Sequence, residues 1–249
     1  MSSSWLVPDW PAPRRVRALS TWRSGGVSTG AYASLNLGSR VGDEAAAVTE
    51  NRRLLALAAG LPAEPCWLRQ VHGTEVADLD APPAAAPPES PPGVDAAITR
   101  QGGRVCAILT ADCVPVLFAS TDGGLIGAAH AGWRGLAAGV LRATVAALKG
   151  EPKALMAWIG PCIGPDAYEV GPEVRDAMLA AMPGAAPAFR AAGSRFMADL
   201  PQIARLQLQA SGLARIFGGT ECTYRDPGRY FSHRRDGQTG RQATLIWLE

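Results

Sequence analysis

The chain has 249 residues, of which 47% are apolar and 18% charged, enough hydrophobic material for one large domain with its own core and no sign of global disorder. Its 24 basic residues, all arginine except Lys149 and Lys153, are nearly cancelled by 22 acidic ones to leave a formal charge of +2. No basic run is longer than a pair such as Arg52-Arg53 or Arg234-Arg235, so nucleic acid is not an expected partner.

Nor does any stretch approach the ~18 unbroken apolar residues of a membrane span. The opening MSSSWLVPDWPAPRRVRAL is broken by prolines and lacks a signal-like apolar run. Five cysteines, at 66, 106, 113, 162 and 222, are odd in number, widely spaced and without a C-x-x-C pair. That usage suits a reduced, cytoplasmic protein better than a disulfide scaffold.

In chain order, residues 15–22 (RVRALSTW) read as a strand, followed by a glycine-punctuated loop, GGVSTGAYASLNLGSRVG. Asp43 is placed to cap a helix over 44–59, which Gly60-Leu61-Pro62 closes. Two short strands are expected at 66–70 and 74–79, with His72-Gly73 at the bend between them. The Pro/Ala-rich stretch 81–93 reads as a surface loop. VDAAIT and RVCAILTADCVPVLFAS read as buried strands, the second interrupted near Asp112-Cys113, and LIGAAHA as another that turns into a helix at GWRGLAAGVLRATVAALKG. A strand at 154–160, helices at 172–182 and 196–212, and a last buried strand at 242–248 complete the pattern. Strands and helices interleave without a regular βαβ period or a G-x-G-x-x-G loop, so the class is α+β or complex α/β.

Three phrases stand out: RQVHG, TADCVP and AHAGWRG. They place His72, Cys113 and His130 beside Gly, Pro or Asp at the ends of expected strands. Two imidazoles and a thiolate suit Zn²⁺, and three protein ligands leave the fourth tetrahedral position open, as in catalytic rather than structural zinc sites. Taken singly, each residue is as readily a buried structural side chain, and spacing alone leaves both readings open. Around the trio, Arg134 at a helix start can hold an anion with free backbone N–H groups. Arg69 flanks His72, while Gln70 and Asn36 offer amides to a ribose or purine edge. Asp112, beside Cys113, is a candidate general base or partner of a ligand histidine. Cys162 is a possible fourth ligand, and His233 reads as a loop residue.

RQVHGTEV, VDAAITRQGGRVCAILTADCVPVLFA, GAAHAGWRG, GPCIGPDAYEVG and YFSHRRDGQTGR, with the earlier GGVSTGAYASLNLG, together resemble the YfiH or laccase-domain (multicopper polyphenol oxidase-like) family. The likeness spans roughly residues 22–241. It implies a single domain, residues 1–249, of mixed β-sheets flanked by helices, with zinc at His72, Cys113 and His130. It also implies phosphorolysis of adenosine, inosine, guanosine and methylthioadenosine, with adenosine deamination alongside, so that the partners are a purine nucleoside and phosphate. Asn36, Arg69, Gln70 and Arg134 are then the expected substrate-binding residues. Members of the family also carry the name peptidoglycan editing factor, which implies a rival: a metal-free Cys–His amidohydrolase acting on a cell-wall precursor. A non-catalytic zinc module is a second rival. The laccase label fits the residues worst, because one remaining histidine, His233, cannot build a multicopper cluster.

Overall fold

Strands that are apolar on both faces must be covered on both, and the two longest strands are buried along their whole length: VPVLFAS at Val114–Ser120 and QATLIWL at Gln242–Leu248. In the computed structural model, which describes residues 5–81 and 93–249, each lies inside a different sheet. Numbered in chain order, β1 (Trp5–Leu6), β2 (Val16–Thr21), β3 (Cys66–Trp67), β6 (Val105–Thr110) and β14 (Gln242–Leu248) form a five-stranded sheet ordered β1-β2-β14-β6-β3. β4 (Val76–Asp78), β5 (Ala96–Thr99), β7 (Val114–Ser120), β8 (Ile126–Ala131), β9 (Leu155–Ile159) and β13 (Arg215–Gly218) form a six-stranded sheet ordered β13-β9-β7-β8-β5-β4. A small antiparallel sheet joins β10 (Glu169–Val170), β11 (Phe189–Ala192) and β12 (Arg195–Ala198).

The two large sheets face each other across Cys106, Ile108, Ile246 and Leu248 on one side and Leu117, Ile126, Met156 and Trp158 on the other. Helix α1 (Ala45–Ala59) covers the outer face of the five-stranded sheet, with Leu55 packed among Leu19, Leu37, Leu245 and Trp247. Helices α2 (Trp133–Ala138), α3 (Val140–Leu148), α4 (Pro172–Ala181) and α5 (Leu200–Ala210) cover the six-stranded sheet through Leu136, Leu141, Met178 and Ile203. The result is a mixed α/β domain layered helix–sheet–sheet–helix.

Several boundaries differ from the sequence expectation, each for a local reason. The strands around His72 do not pair with each other; β3 joins the first sheet and β4 the second. The helix after His130 breaks at Gly139, whose φ of 92° closes α2 and opens α3. The proposed helix 196–212 begins later. Residues 195–198 pair with 189–192 around Gly193, at φ 61°, and Asp199 then caps α5 by accepting from Gln202 N. Asp43 does not cap α1, since Glu44 holds that position. Its carboxylate turns inward instead, accepting from Ser28 Oγ and Asn36 Nδ2. Except for its two ends, the 81–93 stretch lies outside the described residues.

That inward turn begins the ordering of the glycine-rich loop. Asn51 of α1, fully buried, donates to Ser28 Oγ, Ser34 O and Asn36 O and accepts from Val27 N. A segment whose only regular piece is a short 3-10 turn at Gly30–Tyr32 thereby satisfies part of its backbone through one side chain. It carries Gly38, Ser39, Arg40 and Val41 to the wall of the main cavity.

Candidate metal and substrate site

The chain crosses between the two large sheets in three residues. β6 ends at Thr110, β7 starts at Val114, and Ala111-Asp112-Cys113 makes the passage with Asp112 at φ 95°. The crossing is held by the Asp112 carboxylate, which accepts from Thr223 Oγ1 at 2.7 Å and from Arg234 N at 2.6 Å. Asp112 is thus engaged by the C-terminal segment, and neither histidine of the trio is among the groups it bonds.

β7 and β8 pair with Val114 opposite Ala131 and Pro115 opposite His130. Cys113 therefore meets the end of β8 at Gly132. His72 approaches from the loop before β4, and the three side chains converge. Their ligand atoms all lie within 4.8 Å of one another. Cys113 Sγ is 3.7 Å from His72 Nε2, close to the ~3.6 Å between a sulfur and a nitrogen on one tetrahedral zinc. The His72 and His130 rings meet edge to face with centroids 4.7 Å apart. Among the described residues this is the one group of three or more His, Cys, Asp or Glu side chains that could hold a metal ion. Cys162 is outside it, buried in the helix-covered core.

Asp95, at the head of β5, organises the group. Its carboxylate is wholly buried and accepts from Val71 N (3.1 Å), His72 N (2.9 Å) and Gly73 N (2.7 Å). Three successive N–H groups around an anion form a nest, and it holds His72 at φ 63°, a conformation a β-carbon disfavours. Asp95 Oδ1 also lies 2.8 Å from His130 Nδ1. A carboxylate can only accept, so Nδ1 carries the proton and Nε2 is left bare, the tautomer that ligates metal. One acid thus positions both histidines. Sequence reasoning passed over it, although a lone acid opening an apolar strand needs buried partners.

Charge is shared across the trio. Burial alone raises the Cys113 thiol, but the facing His130 and His72 rings outweigh it and bring it to about 6. Burial likewise disfavours a charged His130, yet the Cys113 sulfur and Asp95 lift it to about 9. By contrast, burial pushes the Cys106 and Cys162 thiols up.

The trio opens into a cavity of about 660 Å³, within the range of small-molecule sites. Six arginines line it (Arg40, Arg52, Arg69, Arg134, Arg234 and Arg241), against one acid, the engaged Asp112. Three of them stack on rings of the wall: Arg52 on Trp67 at 4.3 Å, Arg134 on Trp133 at 4.4 Å and Arg234 on Tyr168 at 4.8 Å. Of the residues expected to bind substrate, Arg69, Gln70 and Arg134 line this cavity. Asn36 is not among them: it is buried, and its amide donates to Gly38 O and Asp43 Oδ2 and accepts from Gly38 N and Arg241 N. Both its donors are used within the protein, so Asn36 shapes the loop. Gln70 bridges to Leu109 through both amide atoms, keeping one N–H to spare. Arg40, Arg52, Arg234 and Arg241, and His233 at the start of a short helix α6 (His233–Asp236), reach the cavity without having been expected there.

Comparison with known proteins now has a geometry to attach to. A family model described as multi-copper polyphenol oxidoreductase laccase matches residues 17–249. The chain belongs to that family. It is 48% identical over 246 residues to purine nucleoside phosphorylase YfiH of Escherichia coli strain K12, covering 99% of both chains. Purine nucleoside phosphorylase PA4543 of Pseudomonas aeruginosa is 49% identical, again over 99% of each. Among solved structures, Neisseria meningitidis protein NMB0706 matches with a TM-score of 0.91 at 48% identity, covering 99% of this chain and 100% of that one. YlmD from Geobacillus stearothermophilus gives the same TM-score at 34% identity, over 100% and 97%. No helix among the described residues is long and apolar enough to cross a membrane.

Two substitutions test the geometry. A β-carbon on Gly132 would lie 2.6 Å from His72 Cδ2 and 3.0 Å from Cys113 Sγ, so Gly132→Ala should leave a folded protein whose metal affinity falls sharply by chelator competition. Metal binding equal to the parent's would show that the trio does not need this spacing. Asp95→Asn puts an NH₂ where the carboxylate accepts N–H groups. Loss of such a partner costs roughly 10–100-fold in metal affinity and about 2–4 kcal/mol of stability, measurable by zinc competition and urea unfolding. An Asp95→Asn protein as stable and as metal-avid as the parent would refute the role given to Asp95.

Proposed function

We propose that this protein is a zinc-dependent purine nucleoside phosphorylase acting on adenosine, inosine, guanosine and methylthioadenosine, with adenosine deamination as a second activity. The observation that carries the reading is the open His72–Cys113–His130 group at the floor of an arginine-lined cavity. The names of the relatives in Escherichia coli and Pseudomonas aeruginosa support the nucleoside class. Zinc fits the donor set, because a thiolate and two imidazoles are borderline-soft ligands and three of them leave a position open. Copper oxidase chemistry fits it poorly: the third histidine, His233, is engaged through Nδ1 with Gly237 O and lies outside the group.

Zinc at this position supplies Lewis-acid polarisation and acidifies water at neutral pH. The residues of the chain then divide the remaining work. Asp95 keeps the His130 proton on Nδ1 and holds the His72 backbone. Arg134, exposed at the start of α2 and fixed flat on Trp133, is the residue we assign to phosphate, with Arg69 beside His72 as its companion. Phosphorolysis joins a phosphate oxygen to the anomeric carbon as the glycosidic bond breaks. The base leaves with the bonding pair and takes up a proton. Gln70, with its spare N–H, is placed to hold the nucleoside.

A second reading has an observation of its own. Six arginines are more than one phosphate needs, and a cell-wall precursor cleaved at an amide by Cys113 would bring further negative charge. A sulfur held by zinc is a poor free nucleophile, so metal content separates the two.

The deciding experiment pairs metal analysis of purified protein with phosphate-dependent release of hypoxanthine from inosine. About one zinc per chain is expected, lost in His72→Ala, Cys113→Ala and His130→Ala. Full zinc occupancy in Cys113→Ala, or a parent protein that releases no base with phosphate, would overturn the reading. Arg134→Ala should keep its zinc and most adenosine deamination while phosphorolysis falls by about 10²–10³, the scale of one lost charged contact in a closed site. Unchanged phosphorolysis and phosphate affinity would remove Arg134 from the site.

A further inference from the structure

The five cysteines are widely spaced along the chain, yet the fold sets four of them opposite one another. Cys66 and Cys106 are register partners in the parallel strands β3 and β6. Cys162 and Cys222 are partners in an isolated parallel bridge, in which Cys162 N donates to Glu221 O at 3.3 Å and Thr223 N to Cys162 O at 2.9 Å. The fifth, Cys113, belongs to the trio.

Register partners on adjacent parallel segments stand ~4.8 Å apart and turn their side chains to the same face. That spacing lies inside the range of roughly 4.4–6.8 Å between the Cα atoms of a disulfide. The Cys222 side chain also leans toward its partner's segment. Its Sγ accepts from Gly164 N at 3.2 Å, and a β-carbon on Gly164 would lie 3.1 Å from the same sulfur. Burial pushes the Cys162 thiol up, and the nearby Cys222 sulfur pushes it further. The two differ in access: Cys162 is fully buried, whereas Cys222 is half-buried, in the wall of a second cavity of about 180 Å³.

Both ends of this pair support the turn that presents Cys113. Ile163 N donates to Asp112 O at 2.9 Å, and Thr223 Oγ1 donates to the Asp112 carboxylate at 2.7 Å. A covalent bond between residues 162 and 222 would join the two segments that hold Asp112.

We propose that Cys162 and Cys222 form a redox-active dithiol, which a hydroperoxide converts to an intramolecular disulfide stapling the segments behind the metal site. Cys222, as thiolate, attacks the O–O bond; it becomes a sulfenic acid, and the leaving oxygen takes up a proton as water. The Cys162 sulfur then attacks the sulfenic sulfur, the S–O bond breaks, and the departing hydroxide takes the Cys162 proton as a second water. The two thiols together lose two electrons and two protons, and the peroxide is reduced to water. Proximity across the bridge offsets the reluctance of a buried thiol to ionise. The Cys66–Cys106 pair is the internal control, because burial pushes both of its thiols up and leaves neither to start the sequence. None of this depends on the phosphorylase reading.

The test treats the full chain, loaded with zinc, with hydrogen peroxide and maps its peptides without reduction. One cross-link is expected, Cys162 to Cys222, with zinc content unchanged. The oxidised protein should melt about 5–10 °C above the reduced one, and dithiothreitol should reverse both changes. Cys162→Ala and Cys222→Ser should each lose the cross-link and the rise in melting temperature, while Cys106→Ala keeps both. Should Cys162→Ala fail to fold, Cys222→Ser at the half-buried position gives the same answer. Over-oxidation of Cys222 with no cross-link overturns the proposal. So does a cross-link that joins Cys66 to Cys106 or captures Cys113, and so does a Cys162–Cys222 bond that lowers the melting temperature, because the two residues are then not placed for it.

Discussion

The site depends on one buried carboxylate. Asp95 receives three backbone N–H groups from residues 71–73 and the Nδ1 proton of His130. A bare carboxylate in such a place would be expensive, since full burial of an unpaired charge costs several kcal/mol. Four donors offset that cost and hold the Asp95 pKa below its usual range despite burial. The same bonds fix a loop and a strand end relative to each other, because His72 precedes β4 and His130 lies in β8, on either side of β5. Asp95 itself opens β5, and its backbone carbonyl accepts from His130 N. The strand order therefore places the acid between the two histidines it orients.

Cys113 arrives by a different constraint. A chain that leaves one sheet and enters the facing one within three residues must turn sharply, and the turn here puts Asp112 in a left-handed conformation. The bonds from Thr223 and Arg234 compensate, and they draw in a segment more than a hundred residues away. That segment brings Arg234 and His233 to the cavity mouth. The C-terminal YFSHRRDGQTGR phrase and the central TADC phrase are thus two halves of one turn. Arg241 closes the same circuit from the other side, its backbone N–H held by Asn36 in the glycine-rich loop.

How much of this was legible in the sequence follows from which interactions are local. β2, β7, β8, β9 and β14 could be read from apolar runs, and the His, Cys and His phrases from the glycines and acid that mark their turns. What Gly132 does there was not legible: only a residue without a side chain leaves room for two ligands. The role of Asp95 could not be read, because its four partners come from residues 71–73 and 130 and nothing in VDAAIT names them. Asn36 looked like a ligand for substrate for the same reason in reverse: a polar residue in a glycine-rich loop does not announce that Asp43 and Arg241 will claim it. Spacing also suggested that the segments around His72 pair as neighbours, whereas each continues a different sheet. Local signals found the turns, and long-range pairing decided what the turns were for.

The arginines give the cavity its charge, and they are the part least visible in one dimension. Six of them line a single opening in a chain whose whole net charge is +2, so the rest of the molecule carries a negative excess and the positive potential is concentrated at one place. Low-dielectric walls focus such a field and raise the local concentration of an anionic ligand. Stacking makes the arrangement tolerable: Arg52, Arg134 and Arg234 each lay the guanidinium on an aromatic face, and Arg52 and Arg234 are further held by donating to Leu37 O and Glu169 O. The walls are therefore organised for negative charge, while the floor is organised by Asp95 for bare imidazole nitrogens and sulfur. The two regions adjoin beside the trio. Trp133 marks that junction, because it carries Arg134 on its ring and follows directly on Gly132, the residue wedged between His72 and Cys113.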